Sequence, residues 1–157
     1  MNWLEQRYIE DLDARAERAL RAAGLHFEHD AEAEHWLSEA ASIAPDHPAV
    51  MLGHYRYHLY KHHYGEAERY ARRCLAAAAS ELGLPVEPLA ACVTQADFSA
   101  GDARMRFWLY GVQALGYVVI RAGRTQEGIA LMRKLVELDP EDQTKTRVLL
   151  SVIDGAE

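Results

Sequence analysis

Apolar residues recur along this chain at three- and four-residue spacing, which is the signature of helices that bury one face. The clearest case is Ile129, Met132, Leu135 and Val136. It lies between Gly123, which breaks the preceding helix, and Asp139-Pro140, where the residue before proline is pushed out of helical geometry. Thr125 is placed to cap this helix, with Gln126 and Glu127 near its positive end. A long helix from Ala103 to Ala122 precedes it. Near the start, Leu4, Tyr8, Leu12, Ala16 and Leu20 form an i, i+4 ladder from Trp3 to about Ala23, with Glu5, Arg7, Glu10, Arg15 and Arg18 on the solvent sides. Gly24 stops this helix, and a second runs from about Ala31 to Ala44 through Ala33, Leu37, Ala40 and Ile43. Asp46 and Pro48 open a third. Tyr64-Gly65 reads as a turn into a fourth, where Glu66-Ala67 leads to small residues at Ala67, Ala71, Cys74 and Ala78, and Gly83 ends it. Those small positions let another helix approach closely. Residues 84–102 break the rhythm; Pro85 and Pro88 disfavour a long helix there, though residues 87–95 allow a short one. A last helix over residues 140–154, capped by Asp139, would cover the end of the stack with Val148, Leu149, Val152 and Ile153.

Each hairpin alone leaves an apolar stripe in water, so the hairpins must pack on one another. The expected fold is all-α and a single domain over residues 1–157. Hairpins span about 3–44, 46–83 and 103–138, with an irregular connection at 84–102 and a capping helix at 140–154.

Within the third hairpin, Leu115-Gly116, Gly123 and Leu138-Asp139-Pro140 fall where a tetratricopeptide repeat carries its Leu-Gly pair, inter-helix glycine and closing Leu-Asp-Pro. The segment resembles that family, with Gly128 at the small-residue site, Tyr117 as a displaced aromatic and Met132 in place of an aromatic. Leu52-Gly53 repeats the Leu-Gly pair two residues further from Glu66-Ala67 than the family pattern has it, and the first hairpin is a degenerate copy around Ala33, Ala40 and Pro45. The resemblance implies a short TPR-like solenoid whose leading helices line a concave groove. It places His54, Tyr57, His58 and Lys61 on one leading helix and Tyr110, Gln113, Tyr117 and Arg121 on another. Rings mixed with cationic donors suit a peptide segment or an acidic chain terminus of another protein. Residues 50–140 are also similar to small tetratricopeptide-like proteins of bacterial nitrogen-fixation gene clusters. That likeness implies an accessory role around nitrogenase assembly or its electron supply.

The charge of −7 over 157 residues argues against non-specific nucleic-acid binding, which needs a basic surface. No window reaches the length of a membrane span, and the start is too charged for a signal peptide, so the cytoplasm is expected. Cys74 and Cys92 read as reduced thiols. The serines Ser38, Ser42, Ser80, Ser99 and Ser151 lie in no nucleophile elbow, and no phosphate loop or dinucleotide fingerprint is present, so neither catalysis nor a cofactor is expected. His54, His58 and His62, at i, i+4 and i+8, offer the alternative of a metal- or cofactor-binding stripe. Arg104, Arg106, Phe107 and Trp108 form a second patch that could seat a phosphate or a carboxylate, with solvated arginines beside core aromatics as the preferred reading. His29, Glu32 and His35, at i, i+3 and i+6, offer a weak metal cluster, with a hydrated, charged helix edge as the preferred reading. An array of three hairpins leaves an open end, which allows self-association as a homodimer.

Overall fold

The computed structural model describes residues 11–155. They form seven α-helices and one 3-10 turn, and no strand occurs among the described residues. The helices are α1 (Ala14–Leu25), α2 (Asp30–Ile43), α3 (Pro48–Tyr60), α4 (Tyr64–Leu82), α5 (Ala103–Arg121), α6 (Thr125–Leu138) and α7 (Thr146–Gly155), with the 3-10 turn at Pro88–Ala90. Two compact units divide the chain, one reaching to Tyr70 and the other starting at Ala71, so the boundary falls inside α4.

In the first unit α1 and α2 form a hairpin with an alanine-rich seam, in which Ala16, Ala19, Ala23, Ala33 and Ala40 are buried. Val50 of α3 joins Ala16, Ala19 and Ala40 in one core cluster, and Tyr57 joins Ala23, Ala33 and Leu37 in another. Gly53 lets α3 approach, because a Cβ there would lie 2.9 Å from the Leu20 side chain and 3.9 Å from that of Leu37. The Leu52-Gly53 pair therefore serves contact with the preceding hairpin. The expected first helix over residues 3–23 is only partly testable, because Leu4, Tyr8, Glu5, Arg7 and Glu10 lie outside the described residues. Within them the ladder is interrupted: Asp13 accepts from Arg15 N at 2.8 Å and caps a helix that starts at Ala14, leaving Leu12 before it. α3 is capped by His47 rather than Asp46, its Nδ1 accepting from Ala49 N at 3.1 Å.

In the second unit α5 and α6 form the central hairpin. α5 is buried on most of its circumference through Met105, Trp108, Leu109, Val112, Leu115, Val118 and Val119. Its end uses Gly123 at φ +97° and a bond from Arg124 N to Val119 O, a glycine-terminated helix stop. Thr125 is accordingly the first residue of α6, and Arg124 occupies its cap. Gly83, at φ +70°, ends α4 in the same manner, with Leu84 N bonded to Ala79 O.

Residues 84–102 are packed rather than loose: Leu84, Pro88, Ala91 and Phe98 are buried. Lys134 Nζ of α6 donates to Ala91 O at 3.0 Å, and Phe98 lies against Trp108 with ring centroids 5.8 Å apart. Of the expected residues 87–95, only Pro88–Ala90 turn helically.

The last helix starts at Thr146, six residues later than expected. Asp139 caps the turn before it instead of the helix, and Asp142 and Lys145 hold left-handed φ values of 53° and 58°. Of the residues expected to cover the end of the stack, Val148 and Val152 are 64% and 65% exposed, while Leu149 and Ile153 are partly buried.

Candidate functional site

The sequence-derived site residues fall into both units. In the first, the histidine stripe stops at the end of α3. Tyr60 is its last helical residue, and His62 takes φ +63° while His63 N bonds to His58 O. This is the same helix stop that Gly123 makes, with histidine in the glycine position. The helical i, i+8 relation of His62 to His54 is thereby lost. His62 instead contacts the Tyr64 hydroxyl through Nδ1 at 2.7 Å. The metal stripe of His54, His58 and His62 does not form, and no group of three or more metal-ligating side chains converges among the described residues.

His54 and His58 do share a face. His54 is buried, donates from Nδ1 to Val50 O at 2.9 Å and stacks on Tyr70 at 4.6 Å. His58 lies parallel to the Tyr70 ring at 5.9 Å, and its Nδ1 is 3.1 Å from His63 Nδ1. In that pair one ring holds its proton on Nδ1 and the other presents a lone pair. Burial, followed by the neighbouring His63, lowers the His58 pKa from 6.5. The unfolded chain therefore takes up this proton more readily than the folded one. The stability that His58 contributes is complete above its unfolded value and is lost as pH falls through the lowered native value. An NMR titration is expected to give a His58 midpoint below 6.5, and H58Q is expected to remove this part of the acid-side loss of Tm. A midpoint at or above 6.5 would contradict this account.

Tyr57 is 5% exposed and belongs to the core of the first unit. Its ring meets Phe27 edge-on at 6.0 Å, and its hydroxyl donates to Glu34 at 3.2 Å. Burial and the acidic neighbours Glu34 and Asp30 push its pKa up to about 12. Lys61 pairs with Asp30 at 2.8 Å and lies over the Phe27 ring at 4.3 Å. Its ammonium holds the Asp30 carboxyl below the usual range. Tyr57 and Lys61 thus bind the end of α3 to the start of α2, and do not stand on an open wall.

In the second unit Tyr110, Gln113, Tyr117 and Arg121 lie on one strip of α5, as their spacing of three and four requires. The turn before α7 occupies part of this strip. Gln113 Nε2 donates to Thr144 O at 2.8 Å and to Thr146 Oγ1 at 3.1 Å, and the Tyr110 hydroxyl donates to Gln143 O at 3.2 Å. Asp139, buried, accepts from Gln143 N, Thr144 N and Thr144 Oγ1 at 2.9–3.0 Å. A carboxylate only accepts, so the Thr144 hydroxyl donates to it. The 2.6 Å contact between Thr144 and Thr146 then runs from Thr146 to Thr144, and Gln113 donates to Thr146. One directed chain of hydrogen bonds therefore leads from Gln113 to Asp139 and uses both hydrogens of the Gln113 amide. Sequence reasoning placed Gln113 in a groove and missed this network, although the polar run Gln143-Thr144-Lys145-Thr146 after Asp139-Pro140 was its signal. Tyr117, at 38% exposed, and Arg121 keep the solvent end of the strip.

The remaining candidates are structural. Trp108 is fully buried, and Arg104 pairs with Glu81 at 3.3 Å. Burial raises the Cys74 thiol to about 12, which keeps it protonated. No helix among the described residues is long and apolar enough to cross a membrane.

The chain is similar to an uncharacterized 19.8 kDa protein in the nifW 5′ region of Azotobacter chroococcum mcd 1. The two are 35% identical over 123 residues, which cover 77% of this chain and 69% of that protein. No protein-family model matches, and neither does any solved structure.

Proposed function

We propose that this chain, which belongs to the family of the nifW-region protein of Azotobacter chroococcum, is a non-catalytic cytoplasmic adaptor that serves nitrogen fixation by gripping a segment of another protein. The nifW-region position in that relative's name supports the link to nitrogen fixation; a place in nitrogenase assembly or its electron supply is the finer reading. A tetratricopeptide-like hairpin stack is the finer reading of the helices, supported by Leu115-Gly116, the Gly123 helix stop and the Leu138-Asp139-Pro140 close.

The observation that carries the binding role is the exposed end of the α5 strip. α5 is largely buried, yet it holds Tyr110, Tyr117 and Arg121 at the surface, and of these the turn before α7 engages Tyr110. A phenol face beside a guanidinium suits a peptide carrying an aromatic or apolar residue next to a carboxylate, since arginine engages carboxylates through two parallel bonds. The test is growth of the native host. Loss of the gene is expected to slow growth on dinitrogen and not on ammonium, and a Y117A/R121A copy is expected to restore it poorly while keeping a wild-type Tm. Full growth on dinitrogen without the gene would sink the assignment to nitrogen fixation, and full restoration by the variant would sink the α5 site.

A further inference from the structure

We infer that α7 pairs antiparallel with α7 of a second copy of this chain, giving a weak two-fold dimer. The outward face of α7 carries Arg147, Val148, Ser151, Val152 and Asp154, all exposed. At 3.6 residues per turn, Arg147, Ser151 and Asp154 follow one side of this face, and Val148 and Val152 the other. A two-fold axis lying between two antiparallel helices and perpendicular to them keeps each side opposite its own copy and reverses the direction. The sequence midpoint of Arg147 and Asp154 nearly coincides with that of Val148 and Val152. One axis therefore sets Arg147 against the second copy's Asp154, twice, and Val148 against its Val152, twice. In a parallel two-fold pair the axis runs along the helices and sets the charged side of each against the valine side of the other, so only the antiparallel arrangement matches charge with opposite charge and valine with valine.

Within one chain both ends are weakly engaged. Among the described residues the Arg147 guanidinium meets the Pro140 carbonyl at 3.4 Å, and Asp154 meets Arg133 at 3.7 Å, with both side chains of that pair substantially exposed. Ser151, the member of the charged side nearest the valines, is small enough to let the helices approach. A ten-residue helix face is smaller than the roughly 800 Å² per partner of a stable interface, so the dimer is a weak, reversible one.

Sedimentation equilibrium of the purified full chain, without a tag, tests this. The expected result is a reversible monomer–dimer equilibrium that V148D weakens at least about tenfold. R147E and D154R are each expected to weaken it about fivefold, and R147E/D154R to associate more tightly than either single variant. Circular dichroism is expected to be unchanged throughout, since the substituted side chains face solvent. A monomer at all concentrations up to about 1 mM, where even an association of about 4 kcal/mol would show, would overturn the proposal. So would a dimer indifferent to V148D, or a double variant no better than the singles.

Discussion

G128A is expected to destabilise the protein by about 2 kcal/mol and to lower its Tm by about 4–8 °C, although alanine is the better helix former. A Cβ at position 128 would lie 2.3 Å from Ile120 Cγ1 and 2.6 Å from the backbone oxygen of Gly116. The isoleucine can rotate, but the carbonyl moves only if α5 moves. On the facing helix, a Cβ at Gly116 would lie 3.1 Å from Met132 and 3.3 Å from the Gly128 oxygen. α5 and α6 therefore cross glycine on glycine, with main chain against main chain. I120A is not expected to rescue G128A, because it removes the side-chain clash and leaves the carbonyl. Thermal denaturation of the two single variants and the double variant checks this; a G128A protein as stable as the wild type would refute the crossing geometry.

D139A is expected to cost more, about 3 kcal/mol, because it strips the acceptor from two backbone N–H groups and a hydroxyl that the fold has taken out of water. D139N should do nearly as much damage. An amide turned either way sets its NH₂ against a donor, at Gln143 N on one side or at Thr144 on the other. The loss should be local before it is global. Hydrogen exchange at the Gln143 and Thr144 amides is expected to rise by more than the change in global stability accounts for, since the turn that seats α7 on Gln113 opens first. Unchanged exchange at these two amides would show that Asp139 does not organise the turn.

The two predictions mark what could and could not be read from the sequence. The α5–α6 hairpin was legible because its apolar spacing, its Gly123 stop and its closing Asp-Pro are all local signals. The start of α7 was not, because Asp139-Pro140 is equally good as a helix cap followed by a first-turn proline. Only the reach of the Asp139 side chain to Gln143 and Thr144 decides between the two, and that depends on the left-handed residues Asp142 and Lys145. The end of α3 was missed for a related reason. A helix stop normally advertises itself with glycine or asparagine, and here His62 takes the left-handed position, so the histidine spacing read as continuous helix. Tyr57 and Lys61 were assigned to a surface because their chemistry suits one. Phe27, Glu34 and Asp30, between 23 and 34 residues earlier in the chain, close around them, and no local pattern carries that information. The Tyr117–Arg121 end of the α5 strip was the part of the expected surface that spacing alone positioned, since it depends only on helical periodicity.

The central claim, that this strip holds a segment of another protein, is tested most directly by affinity capture from the native host growing on dinitrogen. Wild-type and Y117A/R121A chains would be immobilised in parallel and the retained proteins quantified by mass spectrometry. The account predicts a protein enriched on the wild type and reduced at least about tenfold on the variant, a loss of about 1.4 kcal/mol or more in binding, at an unchanged Tm. Equal retention by the two chains, both folded, would contradict it.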